Sequence, residues 1–473
     1  MPKGLILNGE VRFTDLVKPI KSPWSGEVVG ECCFATQKEV EEAIELGSKS
    51  ARTMANLRSY QRAEILHRTS DLITQNKDRL ATTIASEGGK PIKEARVEVS
   101  RAETTFRIAA EEARRWGGEI LPLDINPLGG DRLALVRRFP VGLVTGISPF
   151  NFPLNLVAHK IAPALATGCA INLKPASYTP LTALILGEIL LEAGLPPGAC
   201  NILPLSSDLA TPLVEDDRVK LVTFTGSAEV GWGIKQLAWN KKVCLELGGN
   251  AAAVVDEGCD LEYAARRIVV GGYAHSGQIC ISVQHVLIHR KVYDEFLNLY
   301  LPMVKDLRMG DPLDGETDIA ALIDEKEAVR VEEWIKEAIE LGGRVLLGGN
   351  RESNRIEPTV LENVPPNARI SWEEVFGPVT LVSAVDNLDE ALERINSWQF
   401  GLQTGIFTPF IDRALRAFNR LEVGGIIIND IPTFRMDNYP YGGMKRSGFG
   451  REGVKYAMEE MTELRTLVIP NPR

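Results

Sequence analysis

The sequence predicts an α/β protein built from two doubly wound parallel-sheet domains plus a small β arm. Three observations lead there. At 473 residues the chain exceeds what one hydrophobic core usually covers, so two domains with a cleft between them are expected. Short apolar strands alternate with helical stretches, and the alternation runs twice. Between the first helices and the first alternation, the segment Gly117 to Gly142 is broken by prolines and glycines and reads as an extended arm.

The elements follow in order. From Gln37 to Asn76 and from Arg79 to Trp116, apolar residues recur at helical spacing between Glu, Lys and Arg, which predicts two long amphipathic helices. In the arm, Pro122, Pro127, Gly129 and Gly130 precede Leu133, Leu135 and Val136. Strands are then expected over Val141 to Ile147, Ala170 to Leu173, Ala199 to Leu203, Leu221 to Phe224 and Val243 to Leu245. The apolar run Leu181 to Leu195 is too short to cross a bilayer, which takes roughly 20 apolar residues, and reads as a buried helix. A second alternation begins near Ala251, with strands Val283 to Ile288, Val379 to Val385 and Gly424 to Ile428 between charged helices. The tail Glu463 to Ile469 is β-rich and is expected to pair with a neighbour's arm by strand addition.

The expected domains are therefore 1–121 with 142–249, a discontinuous unit, and 250–429. Residues 122–141 and 460–473 form the oligomerisation arm and tail, and 430–459 returns to the first unit. A formal net charge of −10 argues against a nucleic-acid partner. Seven cysteines, an odd number with no CxxC pair, fit a reducing compartment, and no export signal follows Met1, so a cytoplasmic protein without membrane or metal partners is expected.

The chemistry-bearing segments sit at strand ends. The turn Gly277-Gln278-Ile279-Cys280 offers a thiol thirty-four residues after the carboxylate in Glu246-Leu247-Gly248-Gly249-Asn250, a pairing suited to covalent thiol chemistry with a separate base. Glu246 reads equally as a carboxylate capping its glycine turn. Thr225-Gly226-Ser227 lies between a strand and a helix, where backbone amides can approach a pyrophosphate; Ser227 reads as well as an N-cap. Lys174, at the end of an earlier strand, suits a ribose or phosphate, or is a solvated lysine. In Pro149-Phe150-Asn151-Phe152-Pro153, flanking prolines restrict the backbone around one amide, which could serve an oxyanion or an Asx turn.

Together with Leu173-Lys174-Pro175-Ala176-Ser177, Glu374-Val375-Phe376-Gly377-Pro378 and Pro440-Tyr441-Gly442-Gly443-Met444-Lys445-Arg446-Ser447-Gly448, these segments resemble, in order and over essentially the whole chain, the signature set of the aldehyde dehydrogenase superfamily. The resemblance implies an aldehyde dehydrogenase-like fold and an oxidation of an aldehyde to an acid. Cys280 would be the nucleophile, Asn151 and the Cys280 N–H would hold the oxyanion, and Glu246 would activate the water that hydrolyses the thioester. It further implies a cofactor held by Pro149, Phe150, Lys174, Ser177, Gly226, Ser227, Glu374 and Phe376, and a homodimer or homotetramer.

Two departures sharpen this. Many NAD-dependent relatives place a glutamate three residues after the lysine, where it repels a 2′-phosphate; Ser177 here favours NADP or dual use of NADP and NAD. Relatives acting on phosphorylated glyceraldehyde place an arginine just before the nucleophile, where this chain has Ile279. Arg101 and Arg435 could still clamp an anionic tail. The other reading pairs Arg101 with Glu98 on a solvated helix face and leaves Arg435 a surface charge. The expected substrate is a short hydroxy- or anionic aldehyde resembling lactaldehyde, glyceraldehyde-3-phosphate or succinate semialdehyde. The alternatives are a coenzyme A-acylating enzyme, which Glu246 opposes, a cysteine hydrolase using His275, or a noncatalytic relative.

Overall fold

The structure, a computed structural model, describes residues 1–470; the last three residues of the expected tail, 471–473, lie outside the described residues. Four short strands, from Leu5–Leu7 to Val28–Cys33, open the chain, and the two expected long helices after them are four: Gln37–Asn56, Ser59–Gln75, Lys77–Gly88 and Ile92–Arg115. The breaks are local. Arg58 is extended at ψ 151°, and Pro91, whose ring fixes φ and removes an N–H, precedes the last helix.

The first sheet has eight strands in the order Glu10–Arg12, Leu5–Leu7, Cys200–Ile202, Ala170–Lys174, Leu143–Ile147, Val219–Thr225, Lys242–Glu246, Gly448–Phe449. Its five inner strands are parallel. Strands Leu143–Ile147 and Ala170–Lys174 are buried at every residue, because helices cover both faces and leave no alternation to read. The chain order reverses between Leu143–Ile147 and Val219–Thr225, so a crevice opens beyond their carboxyl ends. The segments emerging there are Pro149 to Pro153 and Gly226-Ser227.

The second sheet has seven strands, in the order Arg344–Leu347, Thr359–Glu362, Val379–Val385, His285–His289, Ala252–Val255, Gln403–Phe407, Gly425–Ile428, all parallel except the first. The return segment joins the first sheet through Gly448–Phe449, which runs antiparallel to Lys242–Glu246.

The arm is a three-stranded antiparallel sheet of Gly118–Pro122, Arg132–Pro140 and Thr462–Pro470. Residues 118–121 thus lie in the arm sheet, ahead of the boundary expected at 122. The tail corrects a second expectation: it pairs with the arm of its own chain, in an unbroken register from Thr462↔Pro140 to Pro470↔Arg132. The outward residues Leu464, Leu467 and Val468 stay exposed, as do Ile120 and Leu121. Among the described residues, no helix is long and apolar enough to cross a membrane.

Candidate active site

The segment leading to Cys280 is held by backbone conformation before any side chain acts. His275 and Ser276 adopt φ of 48° and 56°, and Gly277 follows at 71°. A Cβ at Gly277 would fall 2.1 Å from the Gly377 carbonyl oxygen, so both the left-handed turn and the close approach require glycine. The turn is pinned on its far side. Ser276 Oγ donates to the Ala320 carbonyl at 3.0 Å, and the Ile323 N–H donates to Gln278 Oε1 at 2.9 Å.

Cys280 is set half-buried into the wall of a cavity of about 590 Å3 that also takes in Pro149, Phe150, Asn151, Gly226, Ser227, Glu246, Glu374 and Phe376. Burial pushes its thiol up to about 11; the hydrogen bond to Tyr441 and the charge of Arg435 oppose that shift, and Glu374 and Glu246 add to it. The raised value favours the protonated thiol of Cys280. Asn151 donates its Nδ2 hydrogen to the Gln278 carbonyl at 2.8 Å, and its Oδ1 has no partner. The Nδ2 bond ties the amide to the segment that carries Cys280, and the unpartnered Oδ1 excludes the Asx turn. A second Nδ2 hydrogen is left available.

Glu246 is buried and neither carboxylate oxygen has a hydrogen-bond partner, so it does not cap its glycine turn. Burial first, then the charge of Glu452, raises it well above the usual carboxylate range, against Arg435 and Lys160. Glu452 is the opposite case. Against the penalty of burial, Lys160 at 3.2 Å and Arg435 at 3.0 Å keep it ionised. One carboxylate of this coupled pair carries the charge, and the other is kept neutral beside it.

Glu374 lines the same cavity. It accepts the Gly249 N–H at 3.2 Å and is raised to about 8, mainly by burial, so most of its acceptor capacity faces the cavity. Phe376 meets Phe150 edge-to-face at 5.9 Å, making an apolar wall. Ser227 sits at the N-cap of the helix Ala228–Leu237 but its hydroxyl makes no capping bond. The helix N-terminus therefore still presents amide donors. A dinucleotide fits this arrangement: an under-satisfied carboxylate for ribose hydroxyls, a helix N-terminus for pyrophosphate and an aromatic, apolar wall.

Two residues expected at the cofactor are not on this cavity. Lys174 is buried at its strand end, where desolvation alone lowers its ammonium from the ordinary value; it is not a solvated lysine. Ser177 donates to the Leu205 carbonyl at 3.2 Å and lines a separate cleft with Lys21, Trp24 and Tyr178.

The arginines correct the surface readings. Arg101 binds Asp437 at 2.7 and 3.3 Å, while Glu98 is buried against Lys90 and accepts the Leu154 and Asn155 N–H groups at the start of the helix after Asn151. Arg435 is buried and stacks its guanidinium 3.7 Å from the Tyr441 ring centroid. Neither arginine is unpaired. Arg101 does line a largely apolar cavity of about 430 Å3 with Phe152, Val269, Tyr273 and Leu307. His275, the candidate base of a hydrolase, is buried against Phe152, and burial, then Lys90, keeps it neutral; the polar side-chain contact of Cys280 is Tyr441 instead.

Five residues around the site carried no functional expectation: His159, read from sequence only as a solvated or core histidine, Lys160, Asp437, Tyr441 and Glu452. Asp437 gathers Arg101, His159 at 2.7 Å and Asn155 at 3.3 Å. Only Tyr441 had a signal, since it lies within the Pro440 to Gly448 segment.

With this geometry in place, comparison with known proteins is informative. The sequence description of the aldehyde dehydrogenase family matches residues 14–467. A 3-sulfolactaldehyde dehydrogenase from Priestia aryabhattai is 41% identical over 98% of both chains. Among solved structures, aldehyde dehydrogenase 21 from Physcomitrella patens, in complex with the reaction product succinate, is 44% identical with a TM-score of 0.98, covering 100% of this chain and 99% of that one. The glyceraldehyde-3-phosphate dehydrogenase GapN from Methanocaldococcus jannaschii, complexed with NADP, is 40% identical with a TM-score of 0.92 over 96% of this chain and 99% of that one.

Proposed function

Because the chain belongs to the aldehyde dehydrogenase family and is an NAD(P)-dependent aldehyde dehydrogenase, we propose that it oxidises a short hydroxy- or anionic aldehyde to the acid through a thioester on Cys280. The supporting observation is that one cavity brings the Cys280 thiol, an unpartnered Glu246 and the under-satisfied Glu374 together. Cys280 attacks the aldehyde carbon, and the oxygen that gains charge is held by the free Nδ2 hydrogen of Asn151 and the Cys280 N–H. A bound nicotinamide dinucleotide supplies the hydride acceptor. Glu374 and Ser227 orient it, with Phe150 and Phe376 as its apolar wall and Pro149 and Gly226 shaping the approach. Glu246 takes the proton of the water that cleaves the thioester. A carboxylate kept neutral at rest deprotonates more readily as pH rises, so turnover should increase with pH through its raised range.

Hydrolysis, rather than transfer to coenzyme A, is the reading that Glu246 supports. The substrate class rests on Arg101, which lines the second cavity, and on the names of relatives, a 3-sulfolactaldehyde dehydrogenase and a glyceraldehyde-3-phosphate dehydrogenase, whose named substrates carry anionic tails. NADP or dual use is the reading that the uncharged Ser177 supports, and it requires the cofactor to extend from this cavity into the cleft that Ser177 lines. The exposed apolar arm suits a homo-oligomer in the cytoplasm. The test is a panel of hydroxy-, anionic and neutral aldehydes assayed with both cofactors, beside Cys280→Ala. Residual oxidation in that variant would remove Cys280 from the mechanism, and a hundredfold preference for NAD would overturn the cofactor reading.

A further inference from the structure

Tyr441 is not accounted for by this mechanism, yet its hydroxyl lies 3.3 Å from Cys280 Sγ, the reacting atom itself. It is placed rigidly. The Tyr441 N–H donates to the Glu452 carbonyl at 3.0 Å and the Glu452 N–H donates back at 2.7 Å. The ring packs with Ile279, Ile281 and Leu402, the apolar residues around the nucleophile. A Cβ on the next residue, Gly442, would stand 2.9 Å from Glu246 Oε1, so this backbone runs directly against the other reacting group. Arg435 covers the ring face, held there by Glu452. A cation on the face of a phenol draws electron density from the ring and makes its O–H a stronger donor.

We propose that Tyr441 is a catalytic hydrogen-bond donor to the Cys280 sulfur anion, acting both when the nucleophile forms and when the acid is released. In the first event the S–H bond breaks, the proton passes to water in the cavity and the electron pair stays on sulfur, facing the Tyr441 O–H. In the second, water adds to the thioester carbon, Glu246 takes the water's proton, and the C–S bond breaks with its electron pair returning to sulfur, again opposite Tyr441. Tyr441 keeps its proton throughout. Burial and the neighbouring Cys280 hold that hydroxyl well above the ordinary tyrosine range, so it stabilises the anion without serving as its base. Among the influences on the Cys280 thiol, this hydrogen bond is the largest that opposes burial.

The inference rests on Cys280 as the nucleophile, and the two are tested separately. Tyr441→Phe keeps the ring and the stacked arginine and removes only the hydroxyl. Iodoacetamide alkylation of the Cys280 peptide is followed by mass spectrometry against pH in the enzyme without substrate. The inflection should move up, with alkylation at pH 8 slowed roughly tenfold and kcat/KM for the aldehyde reduced in parallel, as for a lost hydrogen bond to a charged group. An alkylation profile that superimposes on the unmodified enzyme overturns the proposal. Should the Phe variant fold poorly, 3-fluorotyrosine placed at 441 supplies a more acidic phenol of nearly the same shape; the inflection should then fall, and an unchanged one overturns the proposal equally. Full oxidation in Cys280→Ala would instead remove the nucleophile reading, and this inference with it.

Discussion

Four carboxylates divide the site into two halves. In the cavity wall, Glu246 has no hydrogen-bond partner and Glu374 has one backbone N–H. Behind the thiol, Glu452 is held by Lys160 and Arg435, and Asp437 by Arg101, His159 and Asn155. The same chemical group is pushed in opposite directions. Burial dominates where partners are missing and raises Glu246 and Glu374; cations overcome burial where partners are complete and keep Glu452 and Asp437 well below the usual range. Under-satisfied carboxylates mark where a ligand or a proton is to be received, and satisfied ones mark scaffolding.

The comparison breaks or sharpens under substitution. The largest effect is expected from Glu246→Gln, which should retain the first-turnover burst of reduced cofactor while steady-state turnover falls by about 10² to 10⁴; equal loss of both would move Glu246 out of the hydrolytic step. Glu452→Gln should act first on stability. It leaves Lys160 and Arg435 uncompensated in the interior, at a cost of about 3 to 5 kcal/mol in urea unfolding. It should also shift the rising limb of the turnover profile to lower pH, because a repulsion that raises Glu246 disappears while two nearby cations remain. A limb that moves to higher pH contradicts the coupling.

Smaller effects separate the halves further. Arg101→Ala should raise KM roughly tenfold for anionic aldehydes and leave neutral ones unchanged; identical Michaelis constants for both classes would return Arg101 to a purely structural role beside Asp437. Glu374→Gln should raise the cofactor KM by about tenfold with little change in unfolding midpoint, since no cation is stranded. The smallest change is expected from Ser177→Glu, which should shift the kcat/KM ratio towards NAD by several-fold through repulsion of a 2′-phosphate. A ratio that stays fixed would place the 2′ position away from Ser177, in keeping with the separate cleft this residue lines.

Much of the architecture was legible because its signals are local. Periodicity marked the alternating strands and helices, and the fold class follows from them. The failures are local too. The first helices divide at Arg58 and Pro91, short interruptions that a long apolar period averages away. The tail's strand character was readable, but its partner was not, because an exposed β edge suits its own arm as well as a neighbour's.

By itself, the sequence determined which segments line the shared cavity. A glycine three residues before Cys280, a carboxylate at a glycine-flanked strand end and an amide between prolines are constraints written within a few residues. Only the tertiary structure decided what each group faces. Arg101 and Asp437 are 336 positions apart, Lys160 and Glu452 are 292, and Cys280 and Tyr441 are 161. Charge state and nucleophile strength depend on burial and on neighbours within a few ångströms, and no spacing along a chain encodes those neighbours once the sheet strands have been reordered.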